Sequence, residues 1–256
     1  MDQREHWIFL RGLVREKGHW HDFVQKFQQA RPLASLELID SQGNGEFHQQ
    51  TSPLAIRAQM EFVRGQSQTV ARRQQAHLVA VSMGAMIATE WMLRYPHEIA
   101  RAILISPSLA ATSRFYHRLR PSALGKLVQG ALLGKLAARE RFIVKLEFTL
   151  RRDLNDLVSE NVRLATAHPV RPANAVRQLL ACLRYGGSAM RPQAPVLLLS
   201  GRGDQIMNPV CARDLAERWQ VPHFEHPLAG HDVAVDDAGW VLNQIENFLR
   251  TEPSRT

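Results

Sequence analysis

The 256-residue chain predicts an α/β fold, a doubly wound and mostly parallel sheet of about six strands carrying an all-helical insertion. Three observations predict it. Short apolar runs alternate with segments of helical periodicity, the pattern of a parallel sheet with helices on both faces. Several runs end directly in glycine-containing turns, as strands do where an open sheet gathers its loops. Between residues 107 and 190 no strand-like run occurs, while helical patterns continue. The expected organisation is a core of residues 1–106 and 191–256, with 107–190 inserted as a helical cap.

The strand-like runs are Trp7–Leu10, Leu36–Ile39, His77–Val81, Ala102–Ile105, Val196–Ser200 and His223–Glu225. Ser52-Pro53 reads as an N-cap followed by proline at the first helical position, before Ile56, Met60 and Val63 at helical spacing and a closing Gly65. A helical pattern covers Met83 to Arg94. In the insertion, three or four helices are expected, around Ala123–Leu136, Glu140–Leu150, Leu154–Ala165 and Ala173–Tyr185. Pro169 and Pro172 break the segment and Gly186-Gly187 end it. Leu124, Leu127, Val128, Ala131 and Leu132 form one apolar stripe, and Val176, Leu179, Leu180 and Leu183 another, both read as packing faces. Asn208-Pro209 repeats the start signal before Ala212, Leu215 and Trp219. Asp236 or Asp237 can cap a last helix carrying Val241, Ile245 and Phe248.

Composition narrows the function classes. A hydrophobic content of 45% suits a soluble domain with a sizeable core. Ile8-Phe-Leu10 is too short for the apolar region of a signal peptide. The apolar stretch Leu78–Thr89 is shorter than the roughly 18 residues of a membrane-spanning helix. Cys182 and Cys211 show no metal or redox spacing, which points to buried, inert thiols and a reduced, cytoplasmic setting. Net charge is +8, and residues 107–190 hold 14 basic and 5 acidic residues against 18 and 19 elsewhere. The whole excess therefore lies in the insertion. Such a block is ordinarily a solvated surface, and it can attract an anionic or lipid-like substrate. No nucleic-acid module accompanies it.

The chemistry centres on Ala80-Val81-Ser82-Met83-Gly84, between an apolar run and a helical pattern. A strand turning sharply into a helix at a serine exposes the hydroxyl and demands small residues two positions away on either side, here Ala80 and Gly84. A capping serine is the plainer reading. A nucleophilic serine needs a base, and the base an orienting acid. Asp204 follows the run Val196–Ser200 and Gly201-Arg-Gly203. His231 follows Gly230 beyond the last run. Both stand at strand ends, in the order serine, acid, histidine. Asp232 and Asp237 are rival acids. His19 and His21, and His223, His226 and His231, invite a metal reading, but residues 223 and 226 of a strand face opposite sides. No metal and no cofactor is expected.

The stretches Ile8–Gly12, Leu38–Gly45, Ala80–Gly84, Gly201–Pro209 and Gly230–Asp232 resemble the α/β-hydrolase fold family, of the small capped esterase, cofactor-free perhydrolase and C–C hydrolase type. The resemblance implies a catalytic triad of Ser82, Asp204 and His231. It also implies an oxyanion hole from the backbone N–H groups of Leu13 and Met83. The family's usual His-Gly is Arg11-Gly12 here, and Arg11 is expected in a structural ion pair. Trp20 reads as a packing residue under that loop. Asp40, Gly43, Asn44 and Gly45 match a turn near it, and no Lys-Ser/Thr follows to make a phosphate cradle. The family's N-terminal antiparallel hairpin is not expected, since only about six residues precede the first run. The activity implied is cleavage of a carboxylic ester or thioester through an acyl-enzyme. C–C bond hydrolysis or perhydrolysis by the same triad, and a non-catalytic ligand- or partner-binding role, are the alternatives.

Overall fold

The computed structural model describes residues 5–131 and 133–251, the side chains of Val128 and Ala131 excepted. Six strands form, β1 (His6–Leu10), β2 (Ser35–Ile39), β3 (Ala76–Val81), β4 (Ile99–Ile105), β5 (Val196–Gly201) and β6 (His223–His226). They lie in the order β2-β1-β3-β4-β5-β6, and each pair is parallel. The predicted six-stranded parallel sheet is thus present, and among the described residues no antiparallel hairpin precedes it.

Twelve α-helices accompany the sheet among the described residues, besides three short 3-10 turns. In chain order they are α1 (Phe23–Ala30), α2 (Ile56–Gln66), α3 (Gln68–Ala71), α4 (Met83–Arg94), α5 (Phe115–Arg118), α6 (Pro121–Ala131), α7 (Leu136–Glu147), α8 (Leu154–Ala167), α9 (Pro172–Arg184), α10 (Val210–Trp219), α11 (Val233–Asp236) and α12 (Ala238–Thr251). The inner strands β1, β3, β4 and β5 read as largely apolar runs because helices cover both faces, whereas the edge strands β2 and β6 are only partly buried. Ile8, Leu78, Leu104 and Leu198 face one side, where they join Met60 of α2, Trp91 of α4 and Trp219 of α10. Phe9, Val79, Ile103 and Leu197 face the other, with Phe27 of α1 and Ile245 of α12. Phe9 meets Trp20 edge-on at 5.3 Å and Phe27 at 5.0 Å, the favoured geometry for aromatic pairs. Trp20 is therefore a packing residue, as expected.

Several boundaries differ from the sequence reading. Ser52 does not cap α2: its amide donates to Asn174 Oδ1 and its hydroxyl to Gln42 O, and the helix starts at Ile56. Asn208 Oδ1 accepts from Val210 N, so α10 starts after Pro209 rather than at it. Residues 107–190 hold five helices, one more than the upper expectation, because Phe115–Arg118 forms a single turn. Proline at the head of α6 sets its start at residue 121 rather than 123. Extended backbone at Phe148 ends α7 three residues before the predicted Leu150. Gly130 lets α6 approach α7, since a Cβ there would sit 2.8 Å from the Phe142 ring. The two stripes are not plain packing faces: Leu124, Val176 and Leu183 are exposed. Leu132 and the side chains of Val128 and Ala131 lie outside the described residues. Asp237 caps α12 through Trp240 N at 3.0 Å, while Asp236 is used elsewhere.

Candidate active site

β3 runs into α4 through Ser82, which sits at φ 55°, ψ −114°. A positive φ is unfavourable for any residue with a Cβ and persists only where packing enforces it. Here the enforcement is visible. Ser82 N donates to Ile105 O at 2.9 Å, and the loop after β1 presses against the turn. A Cβ on Gly84 would lie 2.4 Å from Leu10 O, and one on Gly12 would lie 3.3 Å from Ser82 Cβ. Ala80 is fully buried among the apolar residues of one sheet face. These contacts explain the small residues of the motif. Met83 is the first residue of α4, so its N–H lacks an intrahelical acceptor and lies at the positive end of the helix dipole. Leu13 follows Gly12 in the opposing loop, and its neighbour Val14 donates to Gln178 Oε1 at 2.9 Å.

Asp204 and His231 meet at the ends of β5 and β6. His231 Nδ1 lies 2.7 Å from Asp204 Oδ2, and the residues are 5% and 3% exposed. A carboxylate can only accept, so Nδ1 carries the proton and Nε2 is left as the acceptor. The other oxygen, Asp204 Oδ1, accepts from Ile206 N at 2.7 Å and Met207 N at 3.0 Å. The rival acids are engaged elsewhere. Asp232 Oδ2 lies 2.6 Å from Arg11 Nη2, which is the ion pair expected of Arg11. Asp237 Oδ2 lies 3.3 Å from His226 Nε2. Burial alone would pull the His231 imidazolium down. The carboxylates of Asp204, Glu147 and Asp232 outweigh it, and the net direction is up.

The remaining supports carry no signal in the sequence. Ser106 Oγ donates to His231 O at 2.7 Å. Asp236 accepts from Gly230 N at 2.7 Å and from Thr149 N and Leu150 N at 2.9 and 2.8 Å, so one carboxylate ties the histidine loop to the chain leaving α7. Arg15, three residues beyond Gly12, pairs with Glu140 at 2.9 Å and Glu147 at 2.6 Å. All three are buried. Burial pushes the Glu147 carboxyl up, but Arg15 overcomes it and holds it below its ordinary value. Asp232 N also donates to Glu147 O. The loop after β1, the end of α7 and the histidine loop thus share one buried charge network.

Ser82, His231 and Leu13 line a cavity of about 430 Å³. Its far wall comes from α6, α7 and α9, through residues such as Leu127, Phe142, Ile143 and Leu179. The wall is mostly apolar, as ligand cavities generally are. The other tempting residues have ordinary partners. Asp40 accepts from Lys17 N at 2.6 Å and Glu46 N at 3.2 Å, filling its own turn. His223 Nε2 meets Ser200 Oγ, and His226 Nδ1 accepts from Ala229 N. His19 Nδ1 accepts from Glu16 N. Among the described residues no His, Cys, Asp and Glu group is arranged to hold a metal, and no helix is long and apolar enough to cross a membrane. Burial pushes the free thiols of Cys182 and Cys211 up to about 12 and 11.

The chain is similar to known proteins in sequence and in fold. The family Hydrolase_4, "Serine aminopeptidase, S33", matches residues 9–229, a span that includes Ser82 and Asp204 and stops two residues before His231. A curated relative, the biotin biosynthesis bifunctional protein BioHC of Teredinibacter turnerae, is 24% identical over 97% of this chain and 45% of its own length. The chain thus spans less than half of that relative. Among solved structures, the esterase RhEst1 from Rhodococcus sp. ECU1013 matches at a TM-score of 0.75, with 16% identity over 97% of this chain and 91% of that one. A lipase-esterase related protein from Clostridium acetobutylicum ATCC 824 matches at a TM-score of 0.75, with 14% identity over 95% and 94%. At these identities the structural likeness concerns the fold alone.

Proposed function

We propose, since this chain belongs to the Hydrolase_4 family of α/β-hydrolase-fold proteins, that it is a serine hydrolase cleaving a carboxylic ester or thioester through an acyl-enzyme. The observation that carries the reading is the buried His231–Asp204 pair at 2.7 Å, whose histidine lines one cavity with a serine held at positive φ. Ser82 is the nucleophile. His231 Nε2 takes its proton and returns it to the leaving group. Asp204 holds the imidazole in the required tautomer and stabilises its charged form. The N–H groups of Met83 and Leu13 receive the oxyanion, aided by the α4 dipole. Arg11 contributes no side-chain donor to that hole, because its guanidinium lies over Trp20 at 4.7 Å and pairs with Asp232.

Residues 107–190 act as the cap. Their helices supply the apolar wall, limit water and shape the acyl or alcohol site. An aminopeptidase substrate, as the family's name would suggest, brings a free ammonium that needs a carboxylate. The carboxylates lining this cavity already face Arg11, Arg15 or His168, which favours an ester over a peptide. A fluorophosphonate probe tests the reading by intact mass and peptide mapping. Labelling at Ser82, lost in Ser82→Ala and in His231→Ala, is the expected result. Ser82→Ala is expected to abolish ester turnover with the melting temperature nearly unchanged. Turnover retained in that variant moves the nucleophile elsewhere, and a folded protein that never labels returns the fold to a binding role.

A further inference from the structure

Three arginines that line the cavity are buried, and two of them are neutralised by carboxylates. Arg11 faces Asp232, and Arg15 faces Glu140 and Glu147. Arg118, at the end of α5, is different. It is 8% exposed, and among the described residues no carboxylate pairs with it. Its Nη2 donates to Cys182 O at 2.6 Å and its Nη1 to Leu183 O at 3.2 Å, at the C-terminus of α9. Its Nε, like Arg11 Nε and Nη1, has no hydrogen-bond partner among the described residues, so the missing carboxylate is what sets it apart. Burial pushes the guanidinium down, and the ionisable side chains acting on it are the thiols of Cys182 and Cys211. Those thiols stay protonated and bring no charge.

A helix C-terminus offers about half an elementary negative charge, which leaves a full cation only partly compensated. Burying such a cation against an apolar wall is costly unless an anion joins it. The wall around it is apolar: Leu119, Leu179, Leu183 and Met207 line the same cavity. The guanidinium is also fixed relative to the proposed triad. Arg120 N donates to Ile206 O at 3.0 Å and Asn208 N to His117 O at 2.8 Å. These bonds stitch the segment carrying Arg118 to the loop whose amides bind Asp204. A preorganised, uncompensated cation in the wall of a mostly apolar cavity matches a ligand with an apolar chain and an anionic end.

We propose that Arg118 binds a carboxylate on the substrate, so that the preferred substrate is an ester or thioester whose apolar chain carries a second, ionised carboxyl group. The proposal rests on the serine hydrolase reading for its turnover and on Arg118 alone for its binding. The test compares p-nitrophenyl monoesters of straight-chain dicarboxylic acids with p-nitrophenyl alkanoates of matched length. The quantity read is the ratio of kcat/KM for the two esters within each protein. The wild type is expected to favour the carboxylated series by roughly ten- to a hundredfold, the strength of a hydrogen bond to a charged group. Arg118→Gln keeps donors for the Cys182 and Leu183 carbonyls but loses the charge, and the ratio is expected to fall to about one. Arg118→Lys is expected to keep part of it. A purely structural role for Arg118 lowers both esters equally and leaves the ratio unmoved. A wild type without preference, or a preference that survives in Arg118→Gln, overturns the proposal. Calorimetric titration of Ser82→Ala with a dicarboxylic acid monomethyl ester reads the same site without turnover. Binding that disappears in Ser82→Ala/Arg118→Gln supports the site even if no ester is hydrolysed, and that result would count against the hydrolase reading alone.

Discussion

Replacing Gly84 with alanine adds one methyl group where α4 lies against the loop after β1. A Cβ at that position sits 2.4 Å from Leu10 O and 2.8 Å from Arg11 O. Real Cβ contacts closer than 3.0 Å essentially do not occur, so the Leu10 carbonyl must withdraw by about 0.6 Å, the difference between 2.4 and 3.0 Å. Backbone, unlike a side-chain tip, cannot rotate away. The shift carries Gly12 and Leu13 with it, and with them one of the two proposed oxyanion donors. Misplacing a catalytic group by roughly 1 Å costs about 100-fold, and removing one donor costs about 100- to 1,000-fold in kcat. Gly84→Ala is therefore expected to lower kcat by about 30- to 300-fold with KM little changed. Alanine is the better helix former by about 1 kcal/mol, so helix propensity cannot account for a loss. The assay is steady-state hydrolysis of a p-nitrophenyl ester, with the rate of fluorophosphonate labelling and a melting curve as companions. A folded Gly84→Ala protein with kcat within about threefold of wild type, far inside the loss expected, would refute the reasoning and detach the Leu10–Leu13 loop from catalysis.

Asp204→Asn leaves the geometry but favours the wrong imidazole tautomer, and kcat is expected to fall by about 1,000- to 10,000-fold. A working base must be neutral, and His231 titrates above its ordinary value, so kcat/KM declines as pH drops through that raised value. In Asp204→Asn the acidic limb of the pH–rate profile is expected to move to lower pH. Arg15→Met strands Glu140 and Glu147 as buried charges, at an expected cost of about 3–5 kcal/mol in urea unfolding; adding Glu147→Gln restores part of it, and a cost below about 1 kcal/mol would make the network ornamental. Burial holds the His77 imidazole at about 4 rather than 6.5. The unfolded chain therefore takes up a proton between those values that the folded chain refuses. Its stability contribution is complete above about pH 6.5 and declines toward pH 4 by about 1.4 kcal/mol per pH unit. His77→Phe is expected to flatten that part of the stability–pH curve.

Features written in contiguous residues are legible in the amino-acid order. The four inner strands announce themselves as apolar runs because both sheet faces are covered there, and Ser82 announces itself by the small residues around it. Boundaries are less legible. Ser52-Pro53 has the form of a helix start, yet Ser52 is drawn into a hydrogen bond with Asn174, 122 residues away. Val176 and Leu183 keep helical spacing, but periodicity does not tell a packing face from a cavity wall. Arg118 reads as one more member of a basic block, since nothing in its sequence neighbours reports burial.

The chain alone determined the order of strands and helices, the sharp turn at Ser82, and three candidate acids for one histidine. Tertiary structure pairs His231 with Asp204 and gives Asp232 to Arg11 and Asp237 to His226. It also built the Arg15–Glu147 pair across 132 residues of chain and left Arg118 without a counter-ion among the described residues. The division has one physical cause. Backbone conformation and amphipathic pattern are set by near neighbours, whereas the protonation and charge balance of a buried group depend on every element packed against it.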